Sequence, residues 1–266
     1  MTLTSISSDH PVFMPSISAA RFGTDNWGKV KGVDHVLEGP PIGHAEPFRE
    51  TTLFQSFRMV FEEGRPWTET EFYRSGAERI AAGKVLWKCT SPEEFLHRLE
   101  TDIRRLHASM KRHGFLKQRD IARLARSEGE GEAQSLVGPF LREGYSSSVK
   151  PTHEIKLGIN EAGQFLFLDG RHRLSIALIL GIAEIPVRIV FRHAQWAALR
   201  ERVAQHALLQ DSTGEAFVSM HPDLREWRLS GRDVIALGAA FQASGVPQPA
   251  YRFVSATATV AGSAVA

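Results

Sequence analysis

The stretch from residue 153 to residue 192 limits the fold more than any other part of the chain. Ile155 to Ile159 is a short apolar run, Asn160-Glu161-Ala162-Gly163 is a hairpin turn, and Gln164 to Leu168 reads as the return strand. Leu174 to Leu180 is then almost wholly apolar before Gly181, which marks a short helix buried nearly all round. Ile185 to Phe191 supplies a third strand, with Pro186 tolerated near its start or at a sheet edge. The unit is therefore β-β-α-β, with a helix greasy enough to need cover on every side.

Where the second strand hands over to the helix stands Asp169-Gly170-Arg171-His172-Arg173. The free N–H groups of a first helical turn bind anions. Gly170 permits close approach, Arg171 and Arg173 offer guanidinium forks for phosphate or carboxylate, and His172 can exchange a proton near neutral pH. Ser175 lies one residue past Leu174 and joins the candidate phosphate ligands. Asp169 either caps the helix or positions a metal or hydroxyl. Glu154, beside His153 at the start of the first strand, is a candidate general base across the sheet end. The competing reading is structural: the arginines pair with local carboxylates such as Glu154 or Glu184.

These residues carry a family resemblance. The run FLDGRHRLSIALILGIAEIPVRIV, residues 167 to 190, resembles the strand, turn and helix of the ParB/sulfiredoxin superfamily, with Gly170, Arg173 and Ala177 on its Gly-x-x-Arg-x-x-x-Ala pattern. PWTETEFY (residues 66 to 73), RHAQW (192 to 196) and HPDL (221 to 224) further resemble an uncharacterised prokaryotic and viral branch. The resemblance implies a nucleotide, ATP or CTP with Mg²⁺, held by Gly170, Arg171, His172, Arg173 and Ser175. Asp169, His172 and Glu154 would then be the catalytic set for phosphoryl transfer to a small hydroxylated acceptor, or for nucleotide hydrolysis. The alternative is a regulatory module that holds nucleotide or nucleic-acid phosphate without turnover. Arg171 stands where sulfiredoxins carry their cysteine, and no helix-turn-helix pair follows Arg192. Sulfinic acid reduction and sequence-specific DNA partitioning are therefore disfavoured.

Elsewhere the reading is coarser. Residues 1 to 25 are rich in Ser, Pro and Thr and are expected to form a disordered arm, and Ser255 to Ala266 a disordered tail. Residues 26 to 150 read as a loop and helical region packing on the core, 151 to 230 as the core with a following helix near 194 to 209, and 231 to 266 as an extension. A short strand is expected around 33 to 37. Helices are expected over 48 to 62, over 68 to 82 with Thr68 and Glu71 as a capping box, and from Ser91 to Arg112 with Pro92 in the first turn. Residues 127 to 148, broken by Gly and Pro, read as a mobile connection.

The fold class that follows is α+β, a small mixed sheet flanked by several helices. One cysteine, Cys89, excludes an intrachain disulfide, and no metal site is legible. No apolar run approaches the roughly 20 residues that cross a bilayer, so a soluble, cytoplasmic protein without a membrane partner is expected. The net charge of +2 is unremarkable, but residues 74 to 126 hold 13 Lys/Arg against 6 Asp/Glu. That local excess keeps nucleic acid among the candidate partners. P-loop, nicotinamide-binding and serine-hydrolase motifs are all missing from the sequence.

Overall fold

The computed structural model describes residues 3–15, 35–117, 120, 154–208, 216–219, 221–224, 228–230 and 253–255. Its centre is the hairpin expected from the sequence. Asn160 closes it by accepting hydrogen bonds at Oδ1 from the N–H groups of Ala162 (3.1 Å) and Gln164 (2.8 Å). Strands β5 (Ile155–Ile159) and β6 (Phe165–Asp169) pair antiparallel across this turn. Helix α5 (Arg171–Ile179) follows, and strand β7 (Ile185–His193) then pairs parallel with β5.

Further strands extend this unit into a mixed sheet of seven strands. β1 (Thr4–Ile6) runs antiparallel and β3 (His35–Leu37) parallel along β7 at different heights. On the far side β2 (Val12–Pro15) pairs parallel with β6, and β4 (His44–Pro47) pairs antiparallel with β2. The N-terminal arm thus differs from its expectation: residues 4–6 and 12–15 are strands, and Ile6 and Val12 are buried. Short strands among Ser and Pro have no local signature, because their stability comes from partners distant in sequence, β7 for β1 and β6 and β4 for β2. Residues 16–25 of that arm and the 127–148 connection lie outside the described residues, as does the tail beyond Ser255. A second sheet joins β8 (Ala216–Ser219), β9 (Arg228–Ser230) and β10 (Phe253–Ser255) in the order β10-β8-β9.

Helices α1 (Thr52–Phe61), α2 (Glu71–Ala81), α3 (Pro92–Arg98) and α4 (Arg104–His113) pack with α5 against one sheet face. Ile155, Leu157, Ile159, Val187 and Ile189 face this layer and share a core with Phe57, Trp67, Phe95, Leu99 and Leu174. Helix α6 (Ala194–Leu208) follows β7 directly. Two helix starts refine the sequence reading. Ser91 caps α3 as expected, through Glu94 N–H. Thr70 rather than Thr68 caps α2, accepting from Tyr73 N–H, because Trp67–Glu69 forms a 3-10 turn before the helix. The helix expected from Ser91 to Arg112 contains a π-helical turn, Leu99–Ile103, with Asp102 buried in it.

Gly158 has a packing reason to be glycine. A Cβ there would lie 2.3 Å from Cζ of the buried Phe191 ring. Gly158→Ala is expected to cost about 1–3 kcal/mol by overpacking, read from the urea midpoint. A change below about 0.5 kcal/mol would mean the ring shifts freely. Among the described residues, no helix is long and apolar enough to cross a membrane.

Candidate anion-binding site

The chain leaves β6 and enters α5 through Gly170, whose φ of 91° and ψ of 27° are left-handed. A Cβ there would also sit 3.1 Å from the Ile155 backbone Cα, so glycine is needed to close the loop against β5 rather than to admit a ligand. Asp169 is not the helix cap. Its Oδ1 accepts from Gly170 N–H at 2.8 Å, and its Oδ2 lies 3.4 Å from Lys156 Nζ. Half of the Asp169 side chain remains exposed.

The three residues expected to act together point three ways, because successive helical side chains diverge by about 100°. Arg171 is exposed at the helix start. Desolvation by its surroundings lowers its pKa, Asp169 opposes this, and the like charge of Arg79 in the last turn of α2 lowers it further. A guanidinium stays charged regardless.

His172 turns into the helical layer. Its ring stacks on Phe57 (5.8 Å, 15°) and meets Trp87 edge-on (4.8 Å, 86°). Burial, helped by the charge of Arg171, pushes its pKa down to about 3, so the ring is neutral at physiological pH. The ring expected to exchange a proton and bind phosphate is thus packed between Phe57 and Trp87. Trp87 reaches this ring from a two-residue turn, closed by a bridge between Leu86 and Cys89, in which Trp87 and Lys88 both have positive φ (52° and 62°). Backbone strain of this kind is retained only where packing enforces it. Cys89 is buried beneath that turn, and burial raises its thiol pKa, as befits a structural cysteine.

Arg173 turns inward as well. Its Nη1 lies 3.4 Å from Glu154 Oε2, its Nη2 donates to the Leu116 carbonyl at 2.9 Å, and its Cζ sits 4.2 Å above the Phe115 ring. Glu154 is 3% exposed. The pair follows the structural reading of the sequence: Arg173 is a mostly buried ion-pair partner of Glu154. Ser175, the other candidate phosphate ligand, is fully buried, and among the described residues its hydroxyl has no hydrogen-bond partner.

What remains open at the sheet end is the start of α5, the exposed Arg171 and the carboxylate of Asp169. Among the described residues no group of three or more His, Cys, Asp or Glu is arranged to hold a metal ion. Asp169, already engaged with Lys156, and the buried Glu154 do not form a carboxylate set suited to Mg²⁺. Two cations went unsingled in the sequence, Lys156 and Arg188. Their signal was a charge at alternating positions of otherwise apolar strands. RHAQW and HPDL also converge, through Arg192, Trp196 and Asp223.

The chain matches no protein-family model, no curated protein and no solved structure.

Proposed function

We propose that the protein is a nucleotide-binding module with a ParB/sulfiredoxin-like β5-β6-α5-β7 core, which holds phosphate at the start of α5 without turning it over. One observation carries this reading: of the three side chains expected to do chemistry, Glu154 and His172 are committed to the interior and Asp169 is engaged by Lys156, while a cation is left outside. Glu154 is tied to Arg173, His172 is a neutral core ring, and Arg171 stands exposed at the helix start. Phosphoryl transfer needs a positioned base or metal in addition to charge neutralisation. Binding needs only the helix N-terminus and a fork.

Calorimetric titration with ATP and CTP tests the reading. Arg171→Ala is expected to weaken binding by about 1.5–3 kcal/mol, the range for a charge-assisted hydrogen bond, with an unchanged melting temperature. Arg173→Ala should behave in the opposite way, binding normally when folded but losing about 2–3 kcal/mol of stability, because it strands Glu154 in the interior. Wild-type protein that binds neither nucleotide, or Arg171→Ala that binds as well as wild type, would remove the proposal. Steady nucleotide hydrolysis by the wild type would restore the enzymatic alternative.

A further inference from the structure

Strands β5 and β7 carry two charges on the sheet face turned away from the main core. Ile155 and Leu157, like Val187 and Ile189, face the helical layer, so the alternating residues Lys156 and Arg188 point the other way. In the parallel register these two stand beside one another. Each is only 6% exposed. Lys156 has Asp169, but no acidic side chain among the described residues pairs with Arg188, and its Nε is buried with no hydrogen-bond partner. Arg188 is therefore a buried cation without an acidic partner among the described residues, and Lys156 stands beside it.

Arginine cannot relieve that imbalance by losing its proton, and an uncompensated buried guanidinium is costly. The cost is met if an anion belongs there. We infer that Lys156 and Arg188 form a second oxyanion site, distinct from the start of α5, which takes a phosphoryl group. A carboxylate offers two coplanar oxygens that a single guanidinium fork would satisfy. Neighbouring strands lie about 4.8 Å apart, so donors rising from both are better matched by a tetrahedral group with three accessible oxygens.

The test is phosphate titration of the full chain by calorimetry, with acetate as the competing carboxylate and melting followed in parallel. Wild type is expected to bind two phosphates, and Arg188→Met and Arg171→Ala one each. Arg188→Met should weaken its own site at least tenfold and, without phosphate, melt no lower than wild type, since it removes an uncompensated buried charge. Lys156→Met should weaken the same site. The inference is overturned if Arg188→Met binds phosphate as wild type does, if acetate competes as well as phosphate, or if the variant melts markedly lower in phosphate-free buffer. A single wild-type site lost in Arg171→Ala would remove this inference alone. A single site lost in Arg188→Met would instead remove the reading of the α5 start, and no phosphate binding would remove both.

Discussion

Asp223→Asn is expected to destabilise the protein by about 3–5 kcal/mol, measured as a drop in the urea midpoint at unchanged slope. Asp223 is 4% exposed and is met from several sides by donors. Arg192 offers Nε at 2.8 Å and Nη2 on the other carboxylate oxygen, and Trp196 Nε1 donates at 2.9 Å. Arg200 Nε lies 3.7 Å away. Asparagine keeps the shape but replaces one acceptor oxygen with a donor that faces donors, and it leaves the buried Arg192 without its counter-charge. Arg200→Ala should cost less than about 1 kcal/mol, because that side chain is a third exposed and the contact is long. Equal losses from the two variants would mean that the stabilisation is spread over the charge cluster rather than centred on the Arg192 fork.

The same hub explains why some of the architecture could be read from the sequence and some could not. The hairpin, α5 and β7 announce themselves through Asn160, Gly163, Gly181 and uninterrupted apolar runs, all of which are local signals. β1 and β2 could not be seen, since three or four residues acquire strand character from pairing with β7, and with β6 and β4. The meeting of Arg192 and Trp196 with Asp223 is likewise a tertiary fact.

The loop at the start of α5 misled in a different way. As a string, Arg171-His172-Arg173 reads as one cationic surface. On a helix the three residues diverge to solvent, to the Phe57 and Trp87 rings, and to Glu154. The structural alternative, an arginine paired with Glu154, holds for Arg173, while Arg171 keeps the exposed position that binding requires.

Stability is expected to fall by about 4–6 kcal/mol between pH 7 and pH 4 through two histidines alone. His172 is held down to about 3, and His221 to about 4, chiefly by burial. His221 stacks on Phe165 (5.0 Å, 13°) and its Nε2 donates to the Gly163 carbonyl at 3.0 Å. In the unfolded chain both rings titrate near the ordinary value of about 6.5. Below that pH the unfolded state binds protons that the folded state refuses, so acid favours unfolding. The stability is fully present above about pH 6.5 and is lost progressively as pH falls toward the folded values near 4 and 3. Each unit of depression is worth about 1.4 kcal/mol, which sets the magnitude. His107, half-buried against Phe61 (4.1 Å), is shifted the same way and adds to the slope. His172→Phe keeps a ring between Phe57 and Trp87 but cannot titrate. Urea denaturation of this variant at pH 7, 5.5 and 4 should show roughly half the wild-type loss. An unchanged pH profile would place the His172 ring in water, and with it would go the argument that Arg171 alone faces the ligand.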